Sequence, residues 1–157
     1  MREELYHPMV AHFPIVFFVL ALVFKTAELT CFKQKEISEK MNFFCRIVLF
    51  TGPFLFLLTM YLGDSALDLI KKDFCQLKLV YDHEEIAKMA LPWIILANGF
   101  EASSKIEKIK KWKNVLSGAT LIALLLINFQ MWKTAHTGAM LVYEHGAAVK
   151  QSVVNCR

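Results

Sequence analysis

Five histidines carry the chemistry open to this chain: His7 and His12 near its start, His83 in its middle, His136 and His145 near its end. A neutral imidazole is a common ligand for transition metals and for haem iron. The four cysteines, Cys31, Cys45, Cys75 and Cys156, show no Cys-x-x-Cys spacing, so they do not read as a zinc site. Hydrolase and nucleotide signatures (Gly-x-Ser-x-Gly, His-Glu-x-x-His, the P-loop) do not occur in the sequence. Whether the histidines can act together depends on the elements that position them.

At 157 residues the chain has the length of one domain. It is 56% apolar with 13 Phe, and its mean hydropathy is +0.42. That is too apolar for an ordinary soluble domain and predicts membrane spans. The net charge of +4 comes from lysines that sit beside the apolar runs, where a topological role explains them. Nucleic-acid binding is not expected, because no basic helix interleaves with base-stacking aromatics. The start is expected to be a retained span rather than a cleaved signal peptide, since Arg2-Glu3-Glu4 makes no clean basic opening.

Leu5 to Phe24 is free of Asp, Glu, Lys and Arg for twenty residues, enough to cross ~30 Å of hydrocarbon. Lys25 to Lys40 is charged and predicts a solvated loop or short amphipathic helix. Ile47 to Gly63 is a second uncharged run, with Gly52-Pro53 as its expected kink. Asp64 to Glu85 is hydrophilic and acidic. The third span is the weakest, because its uncharged core from Met89 to Phe100 is only twelve residues long and contains Pro92 and Asn98. Such a span needs neighbouring helices to cover its polar atoms. Asn114 to Trp132 gives nineteen uncharged residues. The expected fold is all-α, a polytopic membrane four-helix bundle, with helices at about 7–25, 43–63, 83–101 and 114–137.

Lysine and arginine set the orientation. The first connection carries Lys25, Lys33, Lys35, Lys40 and Arg46, and the third carries Lys105, Lys108, Lys110, Lys111 and Lys113. The acidic second connection has only Lys71, Lys72 and Lys78. The positive-inside rule therefore makes the first and third connections cytoplasmic. Both termini, including a C-terminal extension, then lie in the periplasm of a bacterial inner membrane. Cys75 and Cys156 share that oxidising side and are candidates for a disulfide.

This topology brings all five histidines to the outer side. At ~100° per residue, His7 and His12 stand about 140° apart and His136 and His145 about 180° apart. Each segment then offers one histidine inward. His12, His83 and His136 are the expected inner set, able to hold a metal or haem iron between facing helices, with His7 and His145 as an outer layer. Asp64 is the best-placed carboxylate to pair with a histidine. Glu84, Glu85 and Glu144 read as solvated interfacial charges, and Met89, Met131 and Met140 as packing. The plain alternative is that each histidine satisfies a local hydrogen bond, but three converging from three helices is a costly accident in lipid.

At these residues the chain resembles a known family. His7-Pro8-x-x-x-His12-Phe13-Pro14-Ile15 and Gly138-x-x-Leu141-Val142-Tyr143-x-His145-Gly146 look like the two signatures of a bacterial membrane-protein family catalogued as domain of unknown function 2231. The resemblance covers the whole chain and implies four helices with a further histidine opening the third, which His83 matches. Ala135-His136 before Gly138 matches a common form of the closing motif. The departures are Ala11 where Val is usual and Ala147-Ala148 where Val-Gly is usual. The resemblance carries no settled activity and only an association with redox systems.

Three functions fit these residues. The first is a redox membrane protein that binds b-type haem through two histidines and passes electrons between the quinone pool and a periplasmic carrier. Phe13, Phe17, Phe54, Phe56 and Trp93 would form its apolar slot. The second is a site for copper, zinc or iron built from His12, His83 and His136. The third is a non-catalytic subunit of a larger membrane complex or homo-oligomer.

Overall fold

The computed structural model describes residues 3–31, 33–71 and 74–147. The protein is all-helical over these residues. A 3-10 turn, Glu3–Leu5, leads into α1 (Tyr6–Thr30), followed by α2 (Lys35–Ile70), α3 (Leu77–Lys88) and α4 (Leu91–Ser103). A second 3-10 turn, Glu107–Trp112, then opens α5 (Lys113–Tyr143). Three helices, those containing α1, α2 and α5, are long and apolar enough to cross a membrane. Each extends past its expected bounds: α2 is 36 residues long, or about 54 Å at 1.5 Å per residue. Its charged first turns, with Lys35, Glu36, Glu39 and Lys40, are helical rather than looped.

The expected single third helix is instead two. Pro92 has no N–H to give the Lys88 carbonyl, so the ladder is interrupted there. The chain tightens to an Ala90 N–H to Ala87 C=O bond of 3.1 Å, a three-residue spacing of the 3-10 kind. Met89 and Ala90 nevertheless keep right-handed helical dihedrals. The break is therefore a stiff step and not a loose linker.

The helices pack in alternating directions. Steps up α1 meet steps down α2: His7 with Thr59, Phe18 with Gly52, Ala21 with Cys45, and Glu28 with Ser38. At Gly52 an added Cβ would come within 2.9 Å of the Phe18 ring, which sets how closely α1 and α2 approach. The main core is Phe18, Leu49, Phe56, Ile94, Leu124 and Ile127, with small alanines between them. A smaller cluster of Phe74, Leu141 and Ala147 lies past the end of α2. Large apolar side chains such as Phe54, Ile95, Ile122 and Phe129 remain exposed, as expected of surfaces that face lipid.

Cys31 and Cys45 are free thiols. Cys75 is disulfide-bonded, and its expected partner Cys156 lies outside the described residues.

Candidate functional site

The inward stripe of α1 runs through Pro14, Phe18, Ala21, Lys25 and Glu28, all buried. This is a heptad-like spacing, and continuing it toward the chain start lands on His7. Five residues further on, His12 is off this stripe and exposed, at the border of the cavity described below. In α5 the stripe Leu124, Ile127, Met131 and Leu141 is buried, and Thr134 and Gly138 fall between on the same face. His136 lies off it, exposed and stacked on Trp132 at a centroid distance of 6.1 Å. His83 enters from α3, partly buried.

The structure thus brings together His7 and His83, not the expected set of His12, His83 and His136. Their ring centroids are 6.4 Å apart with planes at 83°. The reason is helical phase: the core stripe takes in His7 on α1 and leaves His136 outside it on α5. His145 follows the end of α5 and is partly buried.

Both rings are held through Nδ1. His7 Nδ1 lies 2.9 Å from the Thr59 carbonyl oxygen, which can only accept, so Nδ1 carries the proton. His83 Nδ1 lies 2.8 Å from Thr137 Oγ1. Thr137 Oγ1 also lies 3.2 and 3.1 Å from the carbonyls of Lys133 and Thr134, which can take its single hydroxyl proton. With the proton there, its oxygen accepts from His83 Nδ1–H. In the neutral rings both Nε2 atoms hold free lone pairs, the form that binds a metal while the other nitrogen is held by an outer acceptor. His12 Nδ1–H is used locally, donating to the Pro8 carbonyl at 2.8 Å.

Two glycines make room for these rings. A Cβ on Gly63 would sit 3.1 Å from His7 Cε1 and Nδ1, and one on Gly138 would sit 3.1 Å from His83 Cε1. Thr59, Thr137 and Gly63 drew no attention as sequence, because only the fold places them against an imidazole. Gly138 was visible only as part of the closing motif.

The pair borders a cavity of about 340 Å³ between α1, α2, α3 and α5, lined by His7, His12 and His83 with Phe56, Met60 and Met131. Of the aromatics expected to form a slot only Phe56 lines it; Phe13 and Phe54 are exposed. Asp64 and Glu84 also border the cavity. Asp64 is not the acceptor on either ring, and Glu84 is paired with Lys88. Among the described residues no three His, Cys, Asp or Glu are gathered closely enough to hold an ion by themselves. The 6.4 Å between the ring centroids is close to the roughly 6 Å that two metal–nitrogen bonds of ~2 Å on opposite sides of one ion would set.

The opposite end holds a second polar cluster, unexpected from sequence. Lys25 and Glu101 are both fully buried, at 0% exposure. Lys25 Nζ donates to Glu101 Oε2 at 2.6 Å, to Glu28 Oε2 at 2.7 Å and to Ser117 Oγ at 3.3 Å. Asn42 Nδ2 donates to Glu101 Oε1 at 3.2 Å, and Arg46 Nε lies 3.8 Å from the same oxygen. Lys25 and Glu28 fall in the stretch expected to be a solvated loop or short amphipathic helix, and Glu101 at the end of the expected third helix. They lie instead inside α1 and α4 and join four helices.

Comparison with protein-family models, with curated proteins and with solved structures finds no match to this chain. What fold and site define together is an all-helical protein with three helices fit to cross a membrane and a paired-imidazole cavity at one end.

Proposed function

We propose that the protein is a polytopic four-helix membrane protein of the bacterial inner membrane, similar to the domain of unknown function 2231 family, and that His7 and His83 bind a b-type haem. The observation that carries this reading is the pair itself: two imidazoles from different helices, each held through its Nδ1, 6.4 Å apart beside a cavity. Haem bound there supplies one-electron chemistry. The residues of the chain orient the two ligands through Thr59 and Thr137, and Phe56, Met60 and Met131 keep the cavity apolar. With the termini periplasmic, the site lies near the outer face, where it exchanges electrons between the quinone pool and a periplasmic carrier.

A bare copper, zinc or iron ion is the second reading. It rests on the same two imidazoles, with Asp64 and Glu84 bordering the cavity but not gathered with them into a set of three ligands. Absorption spectra of the purified protein, oxidised and dithionite-reduced, separate the readings. Haem gives Soret and alpha bands that sharpen and shift on reduction, and a metal ion without them supports the second. Protein with neither haem nor metal leaves a subunit of a larger complex or homo-oligomer. Reporter fusions at Lys35 and Lys108 test the topology and are expected to report cytoplasm.

A further inference from the structure

We propose that the buried charges at the far end set the register of the helix pair that carries His83, so that Lys25 and Glu101 are positioning residues for the His7–His83 pair. The use of that pair for a cofactor rests on the function proposed above; its geometry does not.

The buried stripe of α4 is Ala90, Ile94, Ala97 and Glu101. Ile94 is the only large apolar side chain in that stripe, with Leu91 and Trp93 packed beside it, so apolar packing defines the position of α4 and the charges add a second, more specific constraint to it. Ile95 and Leu96 are exposed and add no constraint. Glu101 is different, because both its oxygens are committed: Oε2 to Lys25 on α1, Oε1 to Asn42 and Arg46 on α2. A slip of one turn, ~5.4 Å, breaks every one of these contacts.

The register passes along the chain because Met89 and Ala90 stay helical across the Pro92 step. The Ile94 N–H to Ala90 C=O bond and the Met89 N–H to Glu85 C=O bond, 3.0 and 3.2 Å, bracket it. At the other end His83 has almost no tolerance, with the Thr137 hydroxyl at 2.8 Å on one side and the Gly138 backbone beside the ring. Buried ion pairs are weak contributors to stability compared with apolar replacements, and fixing one register among several is their best-attested use.

The test uses full-length protein in detergent, stripped of metal and haem, with ¹⁵N-labelled histidine. The readout is the ring resonance of His83 in its Nδ1–H form, hydrogen-bonded to Thr137. Lys25→Arg keeps the charge and is expected to keep this signal. The neutral triple variant Lys25→Met/Glu28→Gln/Glu101→Gln is expected to remain helical and to unfold cooperatively, yet to lose the single His83 signal. Cofactor affinity should fall roughly tenfold, as for loss of an outer-sphere contact. A folded triple variant with the His83 signal intact overturns the proposal. So does a triple variant that fails to fold, which assigns the charges to stability, and so does loss of the signal in folded Lys25→Arg. If the wild-type protein binds no cofactor but these signals behave as stated, the haem reading fails and the positioning role stands.

Discussion

The two ends of the molecule handle buried polarity in opposite ways. At the histidine end each polar ring has one protein acceptor and one free nitrogen beside a cavity. At the charged end Lys25 donates three times and both Glu101 oxygens are engaged. An imidazole can be neutral, so it tolerates being half-satisfied in an apolar setting. An ammonium or a carboxylate cannot, because an unpaired charge there costs several kcal/mol. A ring nitrogen left over beside a cavity marks the end equipped to bind something, and a buried lysine with three acceptors marks the end that holds the helices in place.

The sharpest way to break this contrast is to strip one charge. Glu101→Leu leaves the Lys25 ammonium buried with only Glu28 and Ser117. It is expected to destabilise the protein by about 3–5 kcal/mol, measured by thermal or denaturant unfolding in detergent. A loss below about 1 kcal/mol would mean that water reaches Lys25 and that the two ends do not differ in kind.

The next effect is on ligand content. His7→Ala or His83→Ala should abolish haem or metal binding, while His12→Ala and His136→Ala should change it less than twofold. Elemental analysis and the pyridine haemochrome assay decide this. If His12 and His136 proved essential instead, the inward stripe of α1 would be misplaced by about 140°, and that of α5 would be wrong as well.

Smaller effects sharpen the picture. Thr137→Val removes the acceptor for His83 Nδ1–H and should weaken ligand binding roughly tenfold without lowering stability by more than about 1 kcal/mol. Gly138→Ala should act in the same direction and more weakly, since the His83 ring need yield only a few tenths of an ångström. Both are read by titrating the ligand into stripped protein. Binding should also weaken as pH falls, because protons compete for the two Nε2 lone pairs.

Much of this fold was legible in the sequence. The twenty uncharged residues from Leu5 and the nineteen from Asn114 each lie inside a long apolar helix. The weakness of the third span was visible in Pro92, but its consequence, two helices with a stiff step, depends on how the freed backbone groups are reused. The choice of His7 over His12 could have been read by extending the spacing Pro14, Ala21, Glu28 backwards. That stripe was hidden because Lys25 and Glu28 look like loop residues in a one-dimensional reading. On α1 almost every residue is apolar, so the helix has little amphipathic contrast and its inward face cannot be read from hydropathy. Thr59, Thr137, Asn42 and Ser117 were out of reach, since each matters only through a partner on another helix.

Gly63 and Gly138 have a consequence for how such proteins are told apart. The pair of imidazoles occupies the space of two methyl groups that the neighbouring helices do without. Among chains that keep the histidines and the spans, alanine at both positions would mark a branch in which the rings have been crowded apart. Glycine at both would mark one in which the pair has been kept. Two small residues, neither of them chemically active, would then sort the members of a lineage that can bind from those that carry only the histidines.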